Sequence, residues 1–272
     1  MGENKKVFPM KNPITDLEKY RKFLESIPLD KYREELRDVK WVEQDLVPSL
    51  YPLPSIYSNY WESRDFLSFE DWFAKFWSEI RNKEKFGDLK DLVRAHRKFY
   101  DDKINGDLDE KVSLGFKARM YRTWVSVLTQ LDFCYLFRAL CAKKSRDLLI
   151  ESNADLDSKG IDARINSIGF QIAKISQRKE ALKIVRKSKV VTIPYAVFDL
   201  KEFERKSQSP RVKDKDGYRK ALSSFHKYFI YLKNGFVVFN DLYLDSIIDN
   251  IGSLERVKKT VEKISSELAG EF

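Results

Sequence analysis

The stretch Leu114–Cys141 is the longest apolar-periodic run in the chain, and it constrains what can surround it. Its apolar positions recur at helical spacing, and a helix that apolar must bury most of its surface among other elements. The run therefore predicts a buried central helix. No stretch approaches the ~20 uncharged apolar residues that a membrane helix needs, so the core of a water-soluble protein is expected.

Downstream the period changes. Residues Gly160–Ile165 alternate apolar with polar, Ser167–Gly169 offers a turn, and Phe170–Ile175 alternates again, a pattern that reads as a β-hairpin. Val190–Ile193 and Phe236–Phe239 are two further short strand candidates, and a last helix is expected from about Ser253 to Leu268. Upstream, residues 12–40 read as an amphipathic helix through Leu17, Tyr20, Leu24 and Ile27, interrupted at Pro28. Val47–Tyr60, with Pro48, Pro52 and Pro54, reads as an extended, packed connector. Ser68 then stands as an N-cap three residues before Asp71, ahead of the aromatic stripe Trp72, Phe73, Phe76, Trp77 and Ile80. Residues 88–111 are charged and end in the turn-like Asn105-Gly106. Helices around a small mixed sheet make the fold class α/β or α+β. No repeat or apolar-poor linker forces a second domain, so one domain over 1–272 is expected, with a mainly helical portion over 1–111.

Composition narrows the function. With 51 Lys and Arg against 42 Asp and Glu, the net charge of +9 favours a polyanionic partner. A chain rich in Lys and Glu, with two Cys and three Met, also fits a heat-adapted protein. Cys134 and Cys141 share a helix face with no second Cys or His cluster nearby, so they read as buried thiols. His96 and His226 stand alone, which leaves little material for zinc or Ser-His-Asp chemistry. No apolar segment follows the basic N-terminus, no Gly-rich loop leads into a helix, and no amphipathic segment pairs the basic charge with a continuous apolar side. The expectation is a cytoplasmic protein that neither cradles a nucleotide nor binds a membrane.

The hairpin supplies the candidate chemistry. Asp162 lies in its first strand, with Arg164 on the polar side by alternation. Asp157 precedes it in a loop, and Gln171 and Lys174 follow in the second strand. A carboxylate, a carbonyl-bearing side chain and a lysine presented to one point are the components of a magnesium-dependent phosphodiesterase. Hard oxygen ligands hold the ion, and the lysine stabilises charge building on the phosphate. By spacing alone, solvated carboxylates and a solvated lysine account for the same residues. Beyond the hairpin, cations are dense from 178 to 220: Arg178, Lys179, Lys183, Arg186, Lys187 and Lys189, then Arg205, Lys206, Arg211 and Lys213. Cations in that number suit contacts to a DNA backbone. Arg211, Lys213 and Asn234 are candidates for reading bases, since Arg and Lys reach guanine and Asn reaches adenine.

Several blocks, in order, resemble the TaqI family of type II restriction endonucleases. They are Val42–Leu46, Pro52-Leu53-Pro54 with Tyr57 and Tyr60-Trp61, Ala118–Thr123, Thr129-Gln130 and Phe133-Cys134-Tyr135. The series continues through Gly160–Ala163, Gln171-Ile172, Ile193-Pro194-Tyr195, Glu204-Arg205-Lys206 and Asn234–Phe239. The resemblance implies a PD-(D/E)XK nuclease core over about 112–272, Mg²⁺ dependence, a homodimer on double-stranded DNA, and cleavage within TCGA. It also implies that Asp157 and Asp162 take the family's acidic positions and that Gln171 replaces the acidic residue of the general motif. The family pattern Gln-Ile-Lys-Lys departs here to Gln171-Ile172-Ala173-Lys174. In a regular strand Ala173 shares a face with Gln171 while Lys174 points away. Three readings meet that departure: a bulge that aims Lys174 at the site, an engineered Lys-to-Ala exchange at 173, or a naturally degenerate enzyme that binds DNA without cutting it.

Overall fold

The computed structural model describes residues 12–40, 46, 50–80, 108–184 and 190–271. The chain forms two compact units, one of residues 1–22 with 130–272 and the other of residues 23–129. The division falls inside the long helix, α5, which spans Leu108–Lys143. By length and hydropathy, Ser113–Lys143 would suffice to cross a membrane, which the sequence reading did not expect; 78% of its most apolar window is buried, as in a core helix.

The helix expected over residues 12–40 is two helices, α1 (Pro13–Ser26) and α2 (Leu29–Leu36), separated where Pro28 cannot donate to the helix. In the unit 23–129, the expected extended connector is instead helical: α3 spans Leu53–Tyr57 and runs into a π-helical turn over Ser58–Ser63. Prolines do not forbid this, because Pro52 caps α3 and Pro54 falls in the first turn, where backbone N–H groups have no partner inside the helix. The wider turn ends at Arg64, at φ 57°, whose N–H donates to the Asn59 carbonyl. Ser68 caps α4 (Phe69–Ile80) as expected, its Oγ accepting from the Asp71 N–H at 3.2 Å. The aromatic stripe of α4 is core: Trp72 stacks on Phe76 at 5.3 Å, and Phe69 lies 5.3 Å from Trp124.

The other unit holds a four-stranded mixed sheet in the order β1 (Ile150–Glu151), β2 (Ala163–Ile165), β3 (Ile168–Ile175), β4 (Val191–Ala196). The β2–β3 hairpin is the one the alternation predicted, with its turn at Asn166-Ser167, slightly earlier than expected. Asn166 sits at φ 52°, a conformation Asn tolerates better than most side chains. β3 pairs with β4 in parallel, and the crossover includes the short helix α7 (Glu180–Ile184), α6 being Ala154–Asp157. The C-terminal half of α5 packs on the sheet through Phe133, whose ring lies 5.7 Å from that of Phe170. N-terminal α1 is anchored by Arg21, which pairs with buried Asp132 at 3.0 Å and donates to the Phe239 carbonyl at 2.6 Å.

Two acidic caps organise the basic region. Asp199 accepts from the Glu202 N–H to start α8 (Leu200–Gln208), and Asp214 accepts from the Gly217 N–H to start α9 (Lys215–Tyr228). The hairpin β5–β6 (Phe229–Tyr231 with Val237–Phe239) and helices α10 (Asp241–Ile248) and α11 (Leu254–Ala269) complete the unit. Ser253 caps α11, close to the expected start. At its end Gly270 takes φ 77° against Gly217, where a Cβ would collide with the Gly217 carbonyl.

Arg178 corrects the reading of the basic region. It is buried, pairs with Asp214, donates to the Ala269 carbonyl at 2.8 Å and stacks 4.6 Å from the Tyr218 ring. Its charge ties α9 and α11 to the end of the sheet and is not presented to a polyanion. Arg178→Met should cost about 2 kcal/mol, the scale of a charged hydrogen bond removed from a buried carbonyl. Thermal denaturation should register this as a fall of about 4–8 °C for a chain of this size. The salt dependence of DNA binding should stay as it was; a flattened salt slope would return Arg178 to the phosphate-contacting set.

Candidate active site

Asp162 sits just ahead of β2, and four hydrogen bonds fix it. Its N–H donates to the Phe170 carbonyl at 2.9 Å, and its own carbonyl accepts from the buried Ser152 Oγ at 2.7 Å. Carboxylate Oδ2 accepts the Ile172 N–H at 2.6 Å, and Oδ1 accepts Gln130 Nε2 of α5 at 2.9 Å. Bonded to the backbones of Phe170 and Ile172, Asp162 brackets Gln171. The alternation that grouped Asp162 with Arg164 does not extend to their surroundings: Asp162 is 5% exposed, whereas Arg164 is half-exposed and 3.7 Å from Glu151. β2 begins only at Ala163, so Asp162 escapes the strand's strict alternation.

Burial dominates the electrostatics. It pushes the Asp162 carboxyl up from 3.8 to about 7; the Ile172 N–H opposes the shift and the Asp157 charge adds to it. Asp157 is the last residue of α6, whose start is capped by Asn153 accepting from the Leu156 N–H at 2.9 Å. The chain turns at Gly160, φ 74°, where an added Cβ would lie 3.9 Å from Gln171 Nε2. Two carboxylates and one amide oxygen are hard donors of the kind a small divalent cation takes, and a cation would remove the repulsion that raises Asp162. Among the described residues no three His, Cys, Asp or Glu side chains form a metal cage. The carboxylate pair would need the Gln171 oxygen, water or phosphate to complete a coordination shell.

The second strand keeps a regular register. Gln171 pairs with Thr192, Ala173 with Pro194 and Lys174 with Tyr195, with no extra residue on either strand. Pairing with β4 thus contains no bulge to turn Lys174 toward the face of Gln171 and Ala173. Lys174 is exposed on the opposite face, which Ile172 and Phe170 share.

The basic candidates are dispersed by role. Lys183, Arg205, Arg211 and Lys213 are exposed. Lys206 pairs with Glu202 at 2.6 Å and lies 5.3 Å from the Tyr218 ring, beside the buried Arg178. Asn234 turns its side-chain oxygen onto the Phe236 N–H at 3.0 Å and shapes the β5–β6 turn. Arg186, Lys187 and Lys189 lie outside the described residues, as do His96, the Asn105-Gly106 turn and most of the Val42–Leu46 block. Cys134 and Cys141 are buried free thiols, pushed up to about 12 and about 11 by burial.

Gln130 and Ser152 were given no role by the sequence reading. Gln130 did carry a signal: it is a polar residue one helical turn before Phe133 and Cys134 in the apolar-periodic run, and the structure buries it. Ser152 had none, because a lone serine in a loop points to nothing.

A carboxyl whose folded value lies above its ordinary one contributes stability that is full below about pH 4 and lost as pH rises through about 7. The metal-free protein should therefore melt at a lower temperature at pH 8 than at pH 5.5. Asp162→Asn should flatten that slope and raise the pH 8 melting temperature by several degrees. An unchanged slope would show that the Asp162 carboxyl is ionised without cost.

The family model "TaqI restriction endonuclease" matches residues 17–251. Type II restriction enzyme TaqI of Thermus aquaticus is 36% identical over 245 residues, covering 85% of this chain and 86% of that protein. Type II restriction enzyme TthHB8I of Thermus thermophilus is 34% identical with the same coverage. No solved structure matches the chain. A hairpin bearing a buried, cation-suited carboxylate and a match over most of the sequence lead to one assignment: the chain belongs to the TaqI restriction endonuclease family.

Proposed function

We propose that this protein is a cytoplasmic type II restriction endonuclease that hydrolyses phosphodiester bonds of double-stranded DNA at TCGA, with Mg²⁺, as a homodimer. The observation that carries the reading is the buried Asp162 carboxylate, raised toward neutrality beside Asp157 in a chain whose relatives are named type II restriction enzymes. Asp162 and Asp157 would hold the ion, with Gln171 offering a third oxygen and water and phosphate supplying the rest of its shell. When bound, magnesium polarises the phosphate and lowers the pKa of its water. Exposed Lys183, Arg205, Arg211 and Lys213 steer the duplex by neutralising phosphates. Lys206, beside its pairing with Glu202, and Asn234 are proposed to contribute from the same unit, together with Arg186, Lys187 and Lys189.

A palindromic site supports two copies related by a two-fold axis, each addressing one strand. Digestion of a plasmid of known sequence with Mg²⁺ should give ends mapping to TCGA, and ultracentrifugation with Ca²⁺ should give two chains per duplex. Ends that map elsewhere would overturn the specificity, and one chain per duplex would overturn the dimer.

A second reading is favoured by the regular β3–β4 register, which leaves Ala173 on the Gln171 face where the family pattern has a lysine. On that reading the protein binds its site and turns over little. Ala173→Lys should then raise single-turnover cleavage by ~10²–10³, the worth of one preorganised charge at a reacting phosphate. If Lys174 is the working lysine, Ala173→Lys changes little and Lys174→Ala abolishes cleavage. Unchanged rates in both variants would exclude a catalytic lysine on this strand.

A further inference from the structure

We propose that Gln130 is a positioning residue for the metal-holding carboxylate, fixing Asp162 so that a divalent cation meets it in one orientation. The inference deepens the reading of Asp162 as a metal ligand and rests on it. Asp162 Oδ2 is held by the Ile172 N–H at 2.6 Å and Oδ1 by Gln130 Nε2 at 2.9 Å. Each carboxylate oxygen has about two acceptor directions, so these two bonds leave one lone pair on each that a cation could take. The Ile172 donor alone would leave the carboxylate free to swing about that single bond. With Gln130 on the other oxygen, the plane of the carboxylate is set.

The donor is itself enclosed. Gln130 is 8% exposed on α5, and Phe133, one turn further along, packs against Phe170 in the strand that carries Ile172. Helix and strand thus grip the two oxygens from elements that are packed together. The choice of an amide is also electrostatic. A lysine or arginine here would cancel one of the two negative charges of Asp162 and Asp157 and repel the ion. An amide orients the oxygen while leaving the negative charge that attracts the ion. Hydrogen-bond partners of metal ligands act in this manner, and their loss typically weakens metal affinity ~10–100-fold.

The test titrates Ca²⁺ calorimetrically into the protein, free and with a TCGA-containing duplex, and records metal-free melting temperatures alongside. Gln130→Met keeps the length and removes the donor, and should weaken Ca²⁺ binding ~10–100-fold. Gln130→Lys should abolish Ca²⁺ uptake and raise the metal-free melting temperature, an opposite pairing that a merely structural glutamine would not produce. Gln130→Asn, one methylene short of Oδ1, should resemble Gln130→Met and replaces it should that variant not fold. Asp162→Asn is the reference. If it loses Ca²⁺ while Gln130→Met and Gln130→Asn bind as tightly as the unsubstituted protein, the role of Gln130 is overturned and the metal site stands. If Asp162→Asn binds Ca²⁺ as the unsubstituted protein does, the metal-site reading falls and this inference with it.

Discussion

A carboxylate taken out of water must be compensated or it will protonate, and this requirement organises the sheet-bearing unit. Asp162 is bonded by a helix through Gln130, by the hairpin through Phe170 and Ile172, and by the loop after β1 through Ser152. The compensation is incomplete, since the carboxyl still rises to about 7. A fold built only for stability would place an apolar residue here. Held by neutral donors next to a second carboxylate, the site stores an unfavourable charge of the kind a divalent cation would relieve. Ligand affinity and the instability of the metal-free protein would then share one source.

Much of this was legible because periodicity reports burial. The central helix, the β2–β3 hairpin, the Ser68 cap and the last helix all announced themselves by spacing. The connector around Pro52 and Pro54 did not, because proline is punctuation whose meaning depends on its position: the same residue breaks a helix interior and begins a helix at its first turn. Asp162 and Gln171 could be located in the hairpin, but their surroundings could not be read there. The partner that fixes the carboxylate comes from position 130, and a hydrogen bond between residues so far apart leaves no local pattern. The resemblance to a nuclease family covered Thr129-Gln130 without assigning either residue a task.

Charge was the least faithful guide. A run of cations between 178 and 220 looks uniform in sequence, yet the structure separates it by partner. Arg178 is spent on a carbonyl, a carboxylate and a ring, and Lys206 on Glu202. Lys183, Arg205, Arg211 and Lys213 remain at the surface. The sorting follows from the acidic caps Asp199 and Asp214, which start two helices and bring tyrosine and carboxylate side chains among the cations. Counting charges along a chain measures how a protein meets salt; only their partners tell how it meets a ligand.

The last strand of the sheet has a consequence for assembly. β4 lies at one end of the order β1-β2-β3-β4, all six of its residues are buried, and Pro194 in its middle offers no N–H. At the other end β1 is only two residues long. Among the described residues, a sheet flanked by a proline on one side and by brevity on the other offers little template for a further strand, which disfavours edge-to-edge growth of this sheet.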